Sequence, residues 1–276
     1  MASSLPQPAQ DASKAAVDQA AADHHRDITV LSDPANFTVK HPLYSAWTLS
    51  FDSASKQDKA KSWEDAIVPV ASFADVESFW SLNSAIVPPS TLGQNANYYL
   101  FKQGIKPAWE DDANAQGGKW SVQLPRGKYT DHIDRFWLYT MLAAIGETFE
   151  TPYVSSSSDD APEPASTTAP APLPSSFSNE ITGVIVSTRK AFFRLNIWTR
   201  SSSSSAPAGA TDADDVERRI KNIGRHFKYG VLGFPEGGMG IAQNDKVSSD
   251  VEFQSHEDSQ KRYGSKSGGG STKWTV

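Results

Sequence analysis

Trp109 and Glu110 stand side by side in a polar stretch between Pro107 and Gly117-Gly118, and Trp63 follows Lys61 in another polar stretch. Tryptophan in such surroundings makes poor core and a good stacking platform. Two indole faces can close on a flat ring. A ring with delocalised positive charge, such as guanine methylated at N7, adds a cation–π term to the dispersion. The carboxylate of Glu110 can accept the two N–H donors on the Watson–Crick edge of guanine, a pairing adenine cannot offer. Arg189, Lys190 and Arg194 cluster around the end of a strand pair, and arginine forks suit phosphate oxygens. Each signal alone is common: a Trp-Glu pair is most often incidental, and a basic hairpin tip is most often a solvated turn. Together they answer opposite ends of one ligand, a charged base carrying phosphates.

Catalytic motifs are missing from the same sequence. It has no Gly-x-Ser-x-Gly elbow, no phosphate-binding Walker loop, no His-Glu-x-x-His and no His-x-His-x-His run. The six histidines are scattered, and the absence of cysteine removes thiolate zinc sites, disulfides and a thiol nucleophile. No enzyme activity, metal or cofactor is therefore expected. A net charge of −6 argues against non-specific coating of nucleic acid, which depends on many Lys and Arg contacts. No leader-like segment and no apolar run of membrane-spanning length is present, so a soluble intracellular chain is expected.

The elements that must position these residues follow from periodicity. Trp47, Leu49 and Phe51 alternate along a half-buried strand, and Lys56 to Trp63 reads as loop. Asp75 is placed to cap a helix whose Val76, Phe79, Trp80 and Ile86 share a face, ended by Pro88-Pro89. Strands are predicted at Tyr98 to Lys102 and Lys119 to Leu124, with the long loop holding Trp109 between them. Asp131 is expected to cap a second helix, from Ile133 to its stop at Gly146. Ile181 to Thr188 and Phe193 to Thr199 read as a hairpin, and Asp212 to Tyr229 as a third helix ended by Gly230. Short strands are expected around Met239 to Gln243, Val251 to Gln254 and Thr272 to Val276. Strands with scattered single helices imply an α+β fold in which an antiparallel sheet carries helices on one face. Residues 1–33 read as a disordered tail, with at most an Ala-rich helix from Ser13 to Ala22, and 34–276 as the folded domain. Low-complexity inserts are expected at 152–178, with its body from Ser155 to Ser178, and at 201–211.

One ordered series of residues resembles the eukaryotic translation initiation factor 4E family of cap-binding proteins. It runs through His41-Pro42-Leu43, Trp47, Trp63, Val76-Glu77-Ser78-Phe79-Trp80 and Tyr99-x-Phe101-Lys102-x-Gly104-Ile105-x-Pro107-x-Trp109-Glu110-Asp111 to Gly117-Gly118-x-Trp120. It resumes at Asp134-Arg135-Phe136-Trp137-Leu138, Ile145-Gly146-Glu147, Gly183-Val184, Arg189, Ile197-Trp198-Thr199, Ile223-Gly224-Arg225 and Ser255-His256. The resemblance implies a curved antiparallel sheet with three helices on its convex face and the 7-methylguanosine cap of messenger RNA in its concave side. It implies that Trp63 and Trp109 stack on the base, Glu110 pairs with its edge, the backbone N–H of Trp109 reaches the guanine carbonyl and Trp198 touches the methyl group. Arg189, Arg194, Lys190 and Lys119 would take the phosphates. On the convex side His41, Pro42, Val76, Trp80, Leu138, Tyr139 and Leu142 would dock a Tyr-x-x-x-x-Leu-hydrophobic helix from the initiation scaffold or from repressors.

Departures from the family pattern bear on both faces. Lys119 stands where the family usually has arginine, Ala191 where it has a phosphate-binding lysine, Phe192 and Phe193 where the hairpin tip is polar, and Tyr139 where a partner arginine meets an acid. Ser267 and Ser271 flank the place of a regulatory serine. The first expectation is an initiation factor that joins cap to scaffold, cytoplasmic with a nuclear pool as the further compartment. The alternative is a cap-binding repressor-type paralogue that recruits the scaffold poorly, and a third reading, an enzyme acting on the cap, predicts product where a binder returns intact ligand.

Overall fold

The computed structural model describes residues 28–53, 63–154, 179–202, 211–235, 250–259 and 274–276. Residues 1–27 of the expected N-terminal tail, with the Ser13 to Ala22 helix, the bodies of both inserts and the Met239 to Gln243 strand, lie outside the described residues. Residues 28–33, expected as tail, are turned back on the chain, the Ile28 carbonyl accepting the N–H of Thr38 at 2.8 Å and of Val39 at 3.1 Å. Among the described residues eight strands form one antiparallel sheet: β1 Pro42–Asp52, β2 Val68–Asp75, β3 Asn97–Lys102, β4 Gly118–Pro125, β5 Ile181–Thr188, β6 Phe192–Thr199, β7 Glu252–Ser255 and β8 Trp274–Thr275. Their spatial order is β2-β1-β3-β5-β6-β4-β7-β8. The architecture is the expected α+β fold, a curved sheet backed by helices.

Strand alternation divides the sheet into two faces. Trp47, Leu49, Leu100, Trp120, Val122, Leu124, Val184, Leu195 and Ile197 are all at most 1% exposed and pack in one cluster with side chains from three helices. These helices are α1 Val76–Ala85, α2 Ile133–Ile145 and α3 Thr211–Arg225. α1 contributes Phe79, α2 contributes Ile133, Trp137 and Met141, and α3 contributes Ile220 and Ile223. Burial of this apolar surface is the main term holding helices to sheet. Close approach is built in at Gly224, where a Cβ would fall 2.5 Å from the ring of Trp120, whose Nε1 donates to the Ile220 carbonyl at 2.9 Å.

The ends of the elements differ in part from expectation. Asp75 does cap α1, its Oδ1 accepting from the Ser78 N–H at 2.7 Å. Asp131 does not cap α2: a single helical turn over Arg126–Tyr129 precedes it, and His132 takes the N-cap position without a side-chain bond. Gly146 follows α2 as expected, but the left-handed residue is Glu147, at φ 54°. Gly230 does not stop α3, which loosens into a π-helical turn over His226–Val231, and the left-handed glycine is Gly233. Strand β2 occupies a segment for which the sequence predicts no element, and it carries Pro69. β2 lies at the sheet edge, where the missing N–H costs nothing. The insert margins are shorter than expected. The N–H of Tyr153 donates to Asn222 Oδ1 at 2.9 Å, Ser202 Oγ donates to the Gln116 carbonyl at 2.9 Å, and α3 already begins at Thr211.

Candidate binding cleft on the open face of the sheet

The face turned away from the helices is mixed, a small apolar cluster of Tyr99, Phe101, Ile185 and Trp198 lying beside polar and cationic side chains. Its central cleft, about 550 Å³, is lined by Lys119, Arg189, Arg194, Asn196, Trp198 and Tyr99 among others. Cross-strand pairing creates this grouping: Lys119 lies opposite Trp198, Gln123 opposite Arg194, and Ser187 opposite Arg194 on the other side. Lys119, distant in sequence, therefore shares one wall with the hairpin cations Arg189 and Arg194. Lys190 stands exposed at the hairpin tip and does not line the cleft.

A second cleft of about 420 Å³ adjoins the first, with Tyr99 on both linings. Asp65 and Ile67 form one side of it and Ile105 to Ala108 another. Trp63 opens a one-turn helix, Trp63–Ala66, where a loop was expected, and its side chain lies outside the described ones. The segment just after Trp63 and the segment just before Trp109 thus face each other across one opening.

The Trp109 loop is held from within. Asp111 accepts the N–H of Lys106 and of Ala113, each at 2.9 Å, and buried Asn114 donates to the carbonyls of Lys106 and Ala108 at 2.8 and 2.9 Å. These bonds close the loop on itself, leaving Trp109 half-buried and Glu110 exposed at its tip.

Electrostatics on the cationic wall are set by burial. Burial holds the Lys119 ammonium below the usual lysine range, and the neighbouring Arg194 charge lowers it further. His256 is 1% exposed, its ring 4.2 Å from that of Trp198, and burial with the Lys119 charge pushes its pKa down to about 3. It is a neutral imidazole at any physiological pH. The ring nitrogens of His256, Nε1 of Trp198 and Oδ1 of Asn196 have no hydrogen-bond partner among the described residues. These atoms are closed to solvent, and His256 lies behind the lining formed by Trp198 and Asn196.

Asp52 and Asn97 belong to the site without being marked out by their sequence surroundings. Asp52 lies fully buried on this face, accepting from Asn97 Nδ2 at 2.5 Å and from the Tyr99 hydroxyl at 3.1 Å. Asn97 Oδ1 accepts from Arg189 Nη1 at 3.1 Å. The available signal was the position of Asp52 on the polar side of the Trp47, Leu49, Phe51 alternation.

On the helix-covered side, the His41 segment is tied to the first turn of α1. The His41 N–H donates to Glu77 at 2.9 Å, the His41 ring meets the same carboxylate at 2.6 Å, and the Val76 N–H donates to the His41 carbonyl at 2.9 Å. Pro42 is exposed, Trp80 and Tyr139 are 44% and 45% exposed, and Val76, Leu138 and Leu142 are half-buried. Among the described residues no group of acidic or histidine side chains gathers to hold a metal ion, and no helix is long and apolar enough to cross a membrane.

A helix-backed antiparallel sheet with a cationic and aromatic cleft on its open face defines the class of this protein. The family model for eukaryotic initiation factor 4E matches residues 42–269. The eukaryotic translation initiation factor 4E of Saccharomyces cerevisiae is 42% identical over 173 residues, 63% of this chain and 68% of that protein. The crystal structure of Ascaris suum eIF4E-3 with the m7G cap superposes with a TM-score of 0.59 at 29% identity, covering 86% of this chain and 98% of that one. The complex of C. elegans eIF4E-3 with the 4E-binding protein Mextli and a cap analog gives 0.55 at 30% identity, covering 80% and 96%. The chain belongs to the eukaryotic initiation factor 4E family.

Proposed function

We propose that this protein binds the 7-methylguanosine cap of messenger RNA in the open-face cleft and recruits an initiation scaffold to its helix-covered face, in the cytoplasm. The observation that carries the reading is the meeting of Lys119, Arg189, Arg194 and Trp198 on one cleft wall beside the Trp109 loop. Relatives in this family hold an m7G cap and a 4E-binding protein, which supports both halves of the proposal.

In this reading Trp63 and Trp109 sandwich the methylated base, where the positive charge of N7-methylguanine rewards aromatic faces. Glu110 accepts from the guanine edge, and Trp198 meets the methyl group. Neutral His256 behind Trp198 matters here, because a protonated imidazole in the same place would repel the cationic ring. Arg189, Arg194 and Lys119 take the phosphates, and Lys190 at the tip adds a screened, longer-range attraction. His41, Pro42, Val76, Trp80, Leu138, Tyr139 and Leu142 receive the scaffold or repressor helix. Residues 34–276 act as one cap-binding unit from which the two inserts emerge, and the ligand is held without being transformed.

Retention on immobilised 7-methyl-GTP, with elution by free 7-methyl-GTP but not by GTP and recovery of the eluting nucleotide intact, tests the reading. Equal elution by GTP would refute methyl recognition, and a cleaved nucleotide would refute binding without chemistry. Exposed Tyr139 gives the repressor-type alternative its foothold. Binding of a Tyr-x-x-x-x-Leu-hydrophobic peptide taken from the initiation scaffold to the cap-loaded protein decides for the initiation factor, and failure of that peptide to bind decides for the repressor-type paralogue.

A further inference from the structure

We propose that Asp52 is a positioning residue for phosphate recognition, acting through Asn97 to hold Arg189 with one guanidinium edge presented to the cleft. The inference rests on the cap reading above and specifies how one part of that site is built. A carboxylate only accepts hydrogen bonds and a guanidinium only donates them. The Asn97 amide has both functions and lies between them. Its Nδ2 donates to Asp52 Oδ1 and its Oδ1 accepts from Arg189 Nη1, an orientation the two neighbours dictate.

The rest of the geometry fixes each end of this relay. Asp52 is fully buried, and its second oxygen accepts from the Tyr99 hydroxyl at 3.1 Å. Asp52 and Asn97 are directly opposed across β1 and β3, and Asn97 is opposed to Ser187 on β5, two residues before Arg189. Arg189 Nη1 makes a second bond to the Thr188 carbonyl at 2.8 Å, and the Arg189 carbonyl accepts from Arg126 Nε at 2.8 Å. Both bonds from the guanidinium thus leave from Nη1. Among the described residues Nε and Nη2, which form the side-on fork suited to two phosphate oxygens, carry no protein bond.

The test compares a triphosphate ligand with one that has no phosphate. Full-length protein is titrated with 7-methyl-GTP and with 7-methylguanosine, following tryptophan fluorescence. Asp52→Asn is expected to weaken 7-methyl-GTP binding roughly three- to tenfold, as when a charge-assisted contact loses its fixed geometry, while 7-methylguanosine binding stays unchanged. The exchanged pair Asp52→Asn with Asn97→Asp restores the order of donors and acceptors with the carboxylate now on Arg189, and should recover triphosphate affinity. If Asp52→Asn does not fold, Asn97→Ser cuts the same link and is read on the same two ligands. Equal losses for both ligands, no loss for either, or failure of the exchanged pair to recover would each overturn the assignment. Wild-type protein that binds neither ligand would overturn the cap reading itself and this assignment with it.

Discussion

Glu110 and the tryptophans carry the recognition in this proposal, and their contributions separate by chemistry. Stacking is worth about 1–3 kcal/mol per base and a charge-assisted hydrogen bond about 1.5–3 kcal/mol, so Trp63→Ala, Trp109→Ala and Glu110→Gln should each weaken 7-methyl-GTP binding about tenfold or more. Glu110→Gln binding as tightly as the parent would remove Glu110 from base readout. His256 makes a different prediction, on stability. An unfolded histidine titrates near 6.5, whereas His256 in the fold does so only at about 3. Between those values the unfolded chain binds a proton that the folded one refuses. The stability due to His256 is therefore complete above the unfolded value and is lost on acidification, at up to about 1.4 kcal/mol per pH unit. Unfolding free energies of His256→Gln in urea, measured from about pH 7 to about pH 5, should fall less steeply than those of the parent by up to this slope. Parallel slopes would disprove the neutral, desolvated state. The legible residues at this scale were those with unusual chemistry for their surroundings, Trp109, Glu110 and Arg189. Asp52 and Asn97 look ordinary in sequence, because their role comes from facing each other across strands.

Capping and edge effects govern the elements. Asp75 ties the end of β2 to the start of α1, so Asp75→Ala should lower stability by about 1 kcal/mol through loss of the cap, measured by urea unfolding. Trp80 stands 44% exposed on α1 while its neighbour Phe79 is buried. Trp80→Ala is therefore expected to abolish binding of the scaffold peptide with 7-methyl-GTP affinity unchanged, by titration of each ligand. Equal loss of both would show that Trp80 supports the fold and not a surface. Helix periodicity and strand alternation were readable wherever one face is apolar, as in α2 and β4. The start of α2 at Ile133 was legible, but edge strand β2 was not, nor was the helical turn before α2 that moves the N-cap from Asp131 to His132. Neither can be read from local pattern, because each depends on which neighbour the segment receives.

Across the whole molecule, one buried ion pair joins sheet, helix and the return from the first insert. Lys102 Nζ at the end of β3 lies 3.2 Å from the carboxylate of Glu147, after α2, bonds Asn179 Oδ1 at 2.5 Å and sits 5.5 Å from the ring of Trp47. Burial lowers the Lys102 pKa and raises that of Glu147, and each partner's charge opposes the shift of the other. Lys102→Met should cost about 3–5 kcal/mol because it strands a buried carboxylate, while Lys102→Met with Glu147→Gln should regain most of that loss. Thermal unfolding of the two variants checks it, and equal losses would mean the cost is one of packing. The sequence by itself determined the α+β class, the two faces of the strands and the aromatic and cationic residue types, because these depend on local periodicity and composition. Only the tertiary structure decided that Lys119 and Trp198 join the hairpin arginines Arg189 and Arg194 on one wall and that Asp52 reaches Arg189 through Asn97. Those relations depend on strand order and register, which are settled by long-range packing of the whole sheet against its helices.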